Sequence, residues 1–268
     1  MTLRFAGSIV ITLMCIGFVT EPAGASELAM ASARGEVLTV RRLLREGAYP
    51  NEIDEDGYTP LLRAVFAGIS KPLSMHSGVV RLLIEAGADV NASVNILPPE
   101  YGNSIRTVGA LHRTVLGGTA FLELTSLLLK NGANPNLAGV WGKPLHVAAA
   151  SDKAGSYEIR LLLQWGADAQ ALNQWGLDPL VEAVTAPNPS LEKIALLLKA
   201  GSNVNAIFDW NGHYDLSVLM AAAMNGTSDI VELLLYNGAL KHSFSYDGLS
   251  AFDYAVNAGR MDNAFLLR

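Results

Sequence analysis

Two aliphatic residues, two further residues, and then a glycine followed by a small residue form a motif that recurs six times in this sequence. The glycines are Gly47, Gly87, Gly132, Gly166, Gly201 and Gly238, at intervals of 40, 45, 34, 35 and 37 residues. Each glycine ends an apolar stretch with helical spacing, so we expect it to cap a helix with a positive φ. One short unit of this kind cannot bury its apolar face alone, and the recurrence therefore predicts a stacked repeat protein.

A second mark precedes the other helix of each repeat. Thr59-Pro60 and Asp178-Pro179 combine an N-cap residue with a proline at the first helical position, and Ser217 and Ser250 stand at the matching places. This is the usual chemistry of a helix start. Between each start and the next cap glycine, the chain carries further glycines or prolines that can reverse its direction. Each repeat is therefore predicted to contain two short antiparallel helices.

These motifs resemble the ankyrin repeat family. Pro144 to Ala148 reads Pro-Leu-His-Val-Ala, which is similar to the helix-start motif of the family, and Gly87 to Asn91 is similar to its turn. The resemblance implies an all-α ankyrin repeat solenoid of helix-turn-helix units with β-hairpin fingers, which binds through the fingers and the first helices. It also implies that His112 and His146 hold neighbouring backbone and are not chemical groups of a site.

The resemblance covers nearly all of the chain that follows the first 25 residues. We expect residues 26–268 to form one ankyrin repeat domain of about six repeats plus a terminal half-repeat. The ends differ from the interior, as terminal repeats of a solenoid do.

Residues 1–25 are typical of a secretory signal peptide. Arg4 precedes an uncharged stretch of fifteen residues, and the small residues Ala23-Gly24-Ala25 follow it. We predict cleavage between Ala25 and Ser26, with no membrane span afterwards. An uncleaved anchor is the alternative, although fifteen residues are short for a hydrocarbon core of roughly 30 Å. The protein is therefore expected to be periplasmic or secreted.

The charge and the motifs argue against several classes of protein. Nineteen Lys and Arg against 25 Asp and Glu provide no basic surface for nucleic acid. The only cysteine, Cys15, excludes an intramolecular disulfide or a cysteine-based zinc site. Asp209, His213 and Asp215 are interpreted as a solvated turn and not as a metal or acid–base site. We therefore predict no enzyme activity, no catalytic residues, no metal and no cofactor.

Two fingers are longer than a repeat of this family requires. About ten extra residues lie within 92–108, including Pro98, Pro99 and Tyr101, and about four lie within 207–215. Insertions in the fingers fall where the family binds. We expect these two segments to contribute to the specificity of the protein.

Aromatic residues mark the fingers as the candidate binding surface. Trp141 and Trp175 replace the polar residue expected in a turn, where Asp56 and Asp247 stand in other fingers. Tryptophan is a preferred anchor of interfaces. The predicted partner-binding residues are Trp141, Trp175, Trp210, Tyr101, Phe208, Tyr214 and Tyr246. Alternatively, the tryptophan rings fold back and join neighbouring fingers. Trp165, at a helix end, is expected to pack.

The sequence thus predicts a non-catalytic scaffold that binds another protein in an extracytoplasmic compartment, and we expect it to be a monomer. A glycan or cell-wall binding module is the alternative. In that case the tryptophan ladder would stack on sugar rings, and Asp209 and Asn211 would bind hydroxyl groups.

Overall fold

The computed structural model describes residues 25–67, 73–96 and 107–268, which fall into two compact units, 25–144 and 145–268. Each unit is described by itself below. The predicted signal sequence up to residue 24 and Tyr101 lie outside the described residues. None of the helices in the described part of the chain is long and apolar enough to cross a bilayer.

The described residues of the first unit form helix pairs and one pair of short strands. In chain order its elements are α1 (Glu27–Arg34), α2 (Val37–Arg45), α3 (Pro60–Ala67), α4 (Leu73–Glu85), β1 (Ser93–Asn95), β2 (Thr107–Gly109), α5 (Ala110–Leu116), a 3₁₀ turn (Gly118–Phe121) and α6 (Leu122–Lys130). The first helices α1, α3 and α5 pack on one another in series, and so do the second helices α2, α4 and α6. Strands β1 and β2 pair antiparallel, with Val94 opposite Val108.

The second unit repeats this plan. Its elements are α7 (Pro144–Ala150), α8 (Ser156–Gln164), α9 (Pro179–Thr185), α10 (Leu191–Lys199), β3 (Ile207–Trp210), β4 (His213–Ser217), α11 (Val218–Asn225), α12 (Ser228–Tyr236), α13 (Ala251–Asn257) and α14 (Met261–Leu266). Helices α9, α11 and α13 pack in series, and α8, α10, α12 and α14 form the second layer. The prediction of stacked helix pairs is confirmed in each unit.

The predicted helix ends are confirmed in detail. All six cap glycines have positive φ values between 83° and 94°. At the other end, the side chains of Asp178, Ser217 and Ser250 accept hydrogen bonds from backbone N–H groups in the first turns of α9, α11 and α13. Any residue other than glycine would be strained at these positions, since L residues rarely adopt a positive φ.

An amide side chain four residues after the cap glycine joins consecutive repeats within a unit. Asn91 Nδ2 donates to Gly132 O at 3.1 Å, and its Oδ1 accepts from Asn134 N at 2.7 Å. Asn51 forms the same pair of bonds with Gly87 O and Asp89 N, and Asn205 with Gly238 O and Leu240 N. These amides satisfy the free carbonyl of the next cap and fix the spacing of the repeats.

Buried polar side chains near the start of some second helices join repeats at the opposite end. Lys193 Nζ donates to Ala148 O at 2.9 Å and to Ser151 O at 2.6 Å. Asn263 Nδ2 in α14 likewise donates to Ala223 O and Gly226 O. Both side chains cap the carbonyl end of a first helix in the preceding repeat, so burial of these polar groups is compensated.

The two histidines are structural, as the family resemblance implies. His112 is 0% exposed and its Nε2 lies 3.1 Å from Gly142 O, while His146 is 1% exposed with Nε2 3.1 Å from Leu177 O. Each ring therefore anchors the finger that follows it in sequence.

Candidate binding surface

The short fingers end in one turn geometry. Gly57, Gly142, Gly176 and Gly248 have positive φ values of 85°, 92°, 78° and 72°. The residues directly before them are Asp56, Trp141, Trp175 and Asp247. The sequence alignment of these four positions is thereby confirmed, because each occupies the same place before a left-handed glycine.

The finger that carries Trp175 is fixed by one asparagine. Asn173 Oδ1 accepts from Trp175 N at 2.9 Å and from Leu177 N at 3.0 Å, while its Nδ2 donates to Glu182 Oε1 at 2.8 Å. The side chain of Trp175 is 53% exposed. The backbone of this turn is therefore held in place while a large aromatic ring faces solvent.

Burial raises the pKa of Glu182 to about 7, which the hydrogen bond from Asn173 only partly offsets, and nearby Asp178 adds to the rise. Glu182 lies in α9, nine residues after the asparagine that orders the finger. A change in the protonation of Glu182 therefore acts on the side chain of Asn173, which holds the Trp175 turn.

In the first unit the residues that correspond to Asn173 and Glu182 are Asp54 and Arg63. Here the finger carries the acceptor and the first helix α3 carries the donor. Asp54 Oδ1 accepts from Asp56 N and Tyr58 N, and Asp54 Oδ2 accepts from Arg63 Nε at 2.7 Å. Arg63 also pairs with Asp56 at 2.6 Å, and its guanidinium carbon lies 4.2 Å from the centre of the Tyr58 ring. This finger thus holds a guanidinium between two carboxylates and an aromatic ring.

The Trp141 finger is tied to the hairpin before it. Val140 N donates to Thr107 O at 2.9 Å, and Gly139 and Gly142 exchange backbone hydrogen bonds at 3.0 and 2.9 Å. Trp141 itself is half-buried. It is less available to a partner than Trp175.

The four-residue insertion builds the hairpin of β3 and β4. Trp210 stands opposite His213 at the end of β3, and Asn211 and Gly212 form the turn with φ values of 50° and 83°. Trp210 therefore flanks a turn and does not occupy the place of Trp141 and Trp175. Asn-Gly with positive φ at both positions suits the twist of a two-residue hairpin.

The structure places Phe208, one of the predicted partner-binding residues, on the buried side of the β3–β4 hairpin. It is 6% exposed and lies opposite Leu216, which is fully buried. Because side chains of a strand alternate between two faces, Phe208 points inward while Ile207 is 65% exposed. Trp165, which was expected to pack at a helix end, is 43% exposed at the end of α8.

Tyr214 and Tyr246 come together across two successive fingers. Their side chains are 53% and 76% exposed, and the ring centres lie 6.3 Å apart in an edge-to-face arrangement. Tyr246 N also donates to Tyr214 O at 3.1 Å. Their proximity was not evident from the sequence, because 32 residues separate them.

A second exposed row was missed by the sequence analysis. Leu172, Ile207 and Phe244 are 62%, 65% and 65% exposed. They lie two residues after Gln170, Asn205 and His242, which are the residues four positions after the cap glycines. Comparison of the repeats at that position could have identified the row as apolar residues in a polar turn.

Asp209, His213 and Asp215 do not form a metal centre. Asp209 Oδ1 accepts from Asp215 N at 3.2 Å, and His213 packs edge-to-face on Tyr254 with ring centres 5.3 Å apart. Within residues 25–67, 73–96 and 107–268, no group of three His, Cys, Asp or Glu side chains could hold a metal ion.

A cavity of about 460 Å³ in the second unit lies beside the turns that connect first and second helices. Ser151, Asp152, Asn188 and Lys193 are among the residues that line it. The ammonium of Lys193 already donates to two carbonyl groups there. Burial lowers the pKa of Lys193, which Asp152 and Glu158 partly oppose. We interpret this lysine as part of the packing between repeats.

Comparisons with protein-family models, with curated proteins and with solved structures all find similarity to ankyrin repeat proteins. Residues 56–95 match the family model described as Ankyrin repeat. The chain is 31% identical to the Ankyrin repeat and KH domain-containing protein mask-1 of Caenorhabditis elegans, over 95% of this chain and 10% of that protein. It is 28% identical to the E3 ubiquitin-protein ligase KEG of Arabidopsis thaliana, over 90% of this chain and 14% of that protein.

The chain thus spans only about a tenth to a seventh of the length of these two relatives. Among solved structures, the human ASB11 ankyrin repeat domain matches with a TM-score of 0.68 and 22% identity, covering 91% of this chain and 98% of the other. That likeness establishes the fold.

Proposed function

The chain folds as an ankyrin repeat solenoid, and from this premise we propose that it is a non-catalytic scaffold that binds another protein outside the cytoplasm. Ankyrin repeats generally mediate protein–protein interaction, and their fold is typically a non-catalytic interaction domain. Binding through the fingertip aromatics and the first helices is the specific part of this proposal.

The exposure of Trp175 is the observation that carries the proposal. Its turn is already ordered by Asn173, and its ring nevertheless remains 53% exposed. Packing within the fold does not account for a tryptophan in this position, whereas a rigid aromatic side chain loses little entropy when a partner covers it.

Two variants test this role in the full chain. Trp141→Ala combined with Trp175→Ala should abolish capture of the native partner in a cross-linking pull-down from the host and leave the melting transition unchanged. Tyr236→Ala is the matched control, since Tyr236 is 89% exposed at the end of the second helix α12 and is not at a fingertip. If the double variant melts at a clearly lower temperature and still captures the partner, the tryptophans join fingers and do not bind.

Export is the second part of the proposal. Ser26 is the N-cap of α1, and its Oγ accepts from Ala29 N at 3.3 Å. Cleavage between Ala25 and Ser26 would therefore leave the first helix and its cap complete. Ala25→Arg should block processing, because signal peptidase requires small residues there. Purified wild-type protein that begins at Met1 would contradict export with cleavage.

A glycan or cell-wall module is the second candidate. The exposed ring of Trp175 is also suited to stacking on a sugar, and Asn211 stands exposed at the turn of the β3–β4 hairpin. Retention of the wild type on peptidoglycan or cell-wall polysaccharide, lost in Trp175→Ala, would favour this candidate over a protein partner.

A further inference from the structure

The fingers of the second unit combine exposed rings with carboxylates. Trp175, Tyr214 and Tyr246 are at least half exposed. Asp215 and Asp247 directly follow the two tyrosines in sequence, Asp209 Oδ1 accepts from Asp215 N at 3.2 Å, and all three carboxylates are exposed. We name these six residues the acidic–aromatic finger face. Among the described residues, the carboxylates of Asp215 and Asp247 form no ion pair.

The net negative charge of residues 25–268 lies in the second unit. Residues 145–268 contain 13 Asp and Glu against seven Lys and Arg, whereas residues 25–144 contain eleven of each. Between Gly201 and Gly259 the only basic side chain apart from histidine is Lys241, and its Nζ donates to the backbone oxygen of Arg268. The net charge of −6 therefore falls in the unit that carries the finger face.

In the first unit, a finger with an aspartate and an aromatic ring binds an arginine of the same chain. There, Arg63 lies 2.6 Å from Asp56 and 4.2 Å from the centre of the Tyr58 ring. Asp247 occupies the position of Asp56 in its own finger, but the position of Arg63, nine residues after the start of the turn, is taken by Tyr254. Tyr254 donates to Ser245 Oγ at 3.0 Å and provides no charge.

We propose that the acidic–aromatic finger face binds an arginine-bearing segment of the partner protein. This inference rests on the proposed function and names the chemistry of its partner. A guanidinium from the partner reaches the exposed carboxylate of Asp247 from solvent, because Tyr254 fills the place that matches Arg63, and it contacts this carboxylate and the exposed Tyr246 ring together. Further basic residues of the segment meet Asp215 and Asp209 on the neighbouring finger.

The chemistry favours arginine over other occupants. A planar guanidinium can stack on the Tyr246 ring and still donate two parallel hydrogen bonds to a carboxylate, which the ammonium of lysine cannot do. An acidic segment would be repelled. The face is also ordered before binding, because Asn173 holds the Trp175 turn and Tyr246 N bonds to Tyr214 O.

Fluorescence anisotropy with the full chain tests the proposal directly. The probe is a fluorescein-labelled peptide of alternating arginine and leucine, and matched peptides carry lysine or glutamate in place of arginine. We expect the arginine peptide to bind best and the glutamate peptide not to bind. Asp215→Asn combined with Asp247→Asn should weaken the arginine peptide about tenfold, as should Tyr246→Ala.

Matched controls separate recognition from general attraction to an acidic protein. Asp229→Asn combined with Glu232→Gln removes the same charge from exposed positions on α12, and Tyr236→Ala removes an exposed ring from that helix. Binding of the arginine peptide should stay within about twofold in both. Equal weakening by the α12 charge variant would overturn the proposal, because it would show attraction without a site.

The outcome also distinguishes this proposal from the scaffold function. If Trp175→Ala abolishes capture of the native partner but the arginine peptide does not bind, the scaffold stands and the arginine segment is wrong. If cellohexaose binds and the arginine peptide does not, the face is a glycan site and both proposals fail.

Discussion

A Cβ atom added at Gly139 would lie 2.5 Å from Nε2 of His112, which is far inside the contact distance of real side chains. His112 is fully buried and its Nε2 already lies 3.1 Å from Gly142 O. The ring therefore cannot move away without losing that contact.

Gly139→Ala should accordingly lower the free energy of unfolding by about 2 kcal/mol through overpacking. Urea denaturation measures the loss. His112→Ala opens space at the same place, so the double variant should cost clearly less than the two single variants added together. Additive costs would show that the histidine ring does not exclude a side chain at residue 139.

The spacing of repeats should depend on the amides that follow the cap glycines. Asn205→Ala removes the bonds to Gly238 O and Leu240 N and should cost about 1–2 kcal/mol of unfolding free energy. His242 occupies the same position in the last repeat and forms no hydrogen bond among the described residues, so His242→Ala should be within about 0.5 kcal/mol of wild type. Equal effects would contradict the assigned role of the amides.

Leu197 tests the register of the second helices. It is 0% exposed in α10, so Leu197→Ala should cost about 2–5 kcal/mol through lost burial and a cavity. Leu191 begins the same helix and is 41% exposed, which makes Leu191→Ala a control with an expected cost below about 1 kcal/mol. A Leu197→Ala melt within error of wild type would mean that the helix is rotated.

Glu182 should make stability depend on pH near neutrality. Its pKa is raised to about 7 in the folded chain, so its protonated form is favoured and the associated stability is lost as pH rises from about 5 to 7. Glu182→Gln should flatten this part of the pH profile and raise the unfolding free energy at pH 8 by on the order of 1 kcal/mol. Denaturant melts from pH 5 to 8 would reveal a slope that persists in the variant if another group is responsible.

Much of the repeat could be predicted because its marks are local. A glycine at a helix C-terminus and Asp178 before Pro179 specify ends through backbone geometry that depends on a few adjacent residues. Stacking then follows from apolar faces that a single pair cannot bury.

The candidate surface was predicted less completely, since exposure depends on neighbours distant in sequence. The exposed turn of Trp175 and the buried side of Phe208 come from similar aromatic motifs, but the pairing of β3 with β4 turns Phe208 inward. Which face of β3 is covered depends on that pairing and not on the residues next to Phe208.

The sequence by itself determined the repeat, its helix ends and the excess of carboxylates over basic side chains after residue 145, because each is a property of residue identity and spacing. Only the tertiary structure decided that Tyr214 meets Tyr246, that Asn51, Asn91 and Asn205 bridge repeats, and that Arg63 fills its finger while Asp247 has no arginine. These relations join residues brought together by the stacking of repeats, and an interaction across repeats exists only once the packed helices have fixed the distance between them.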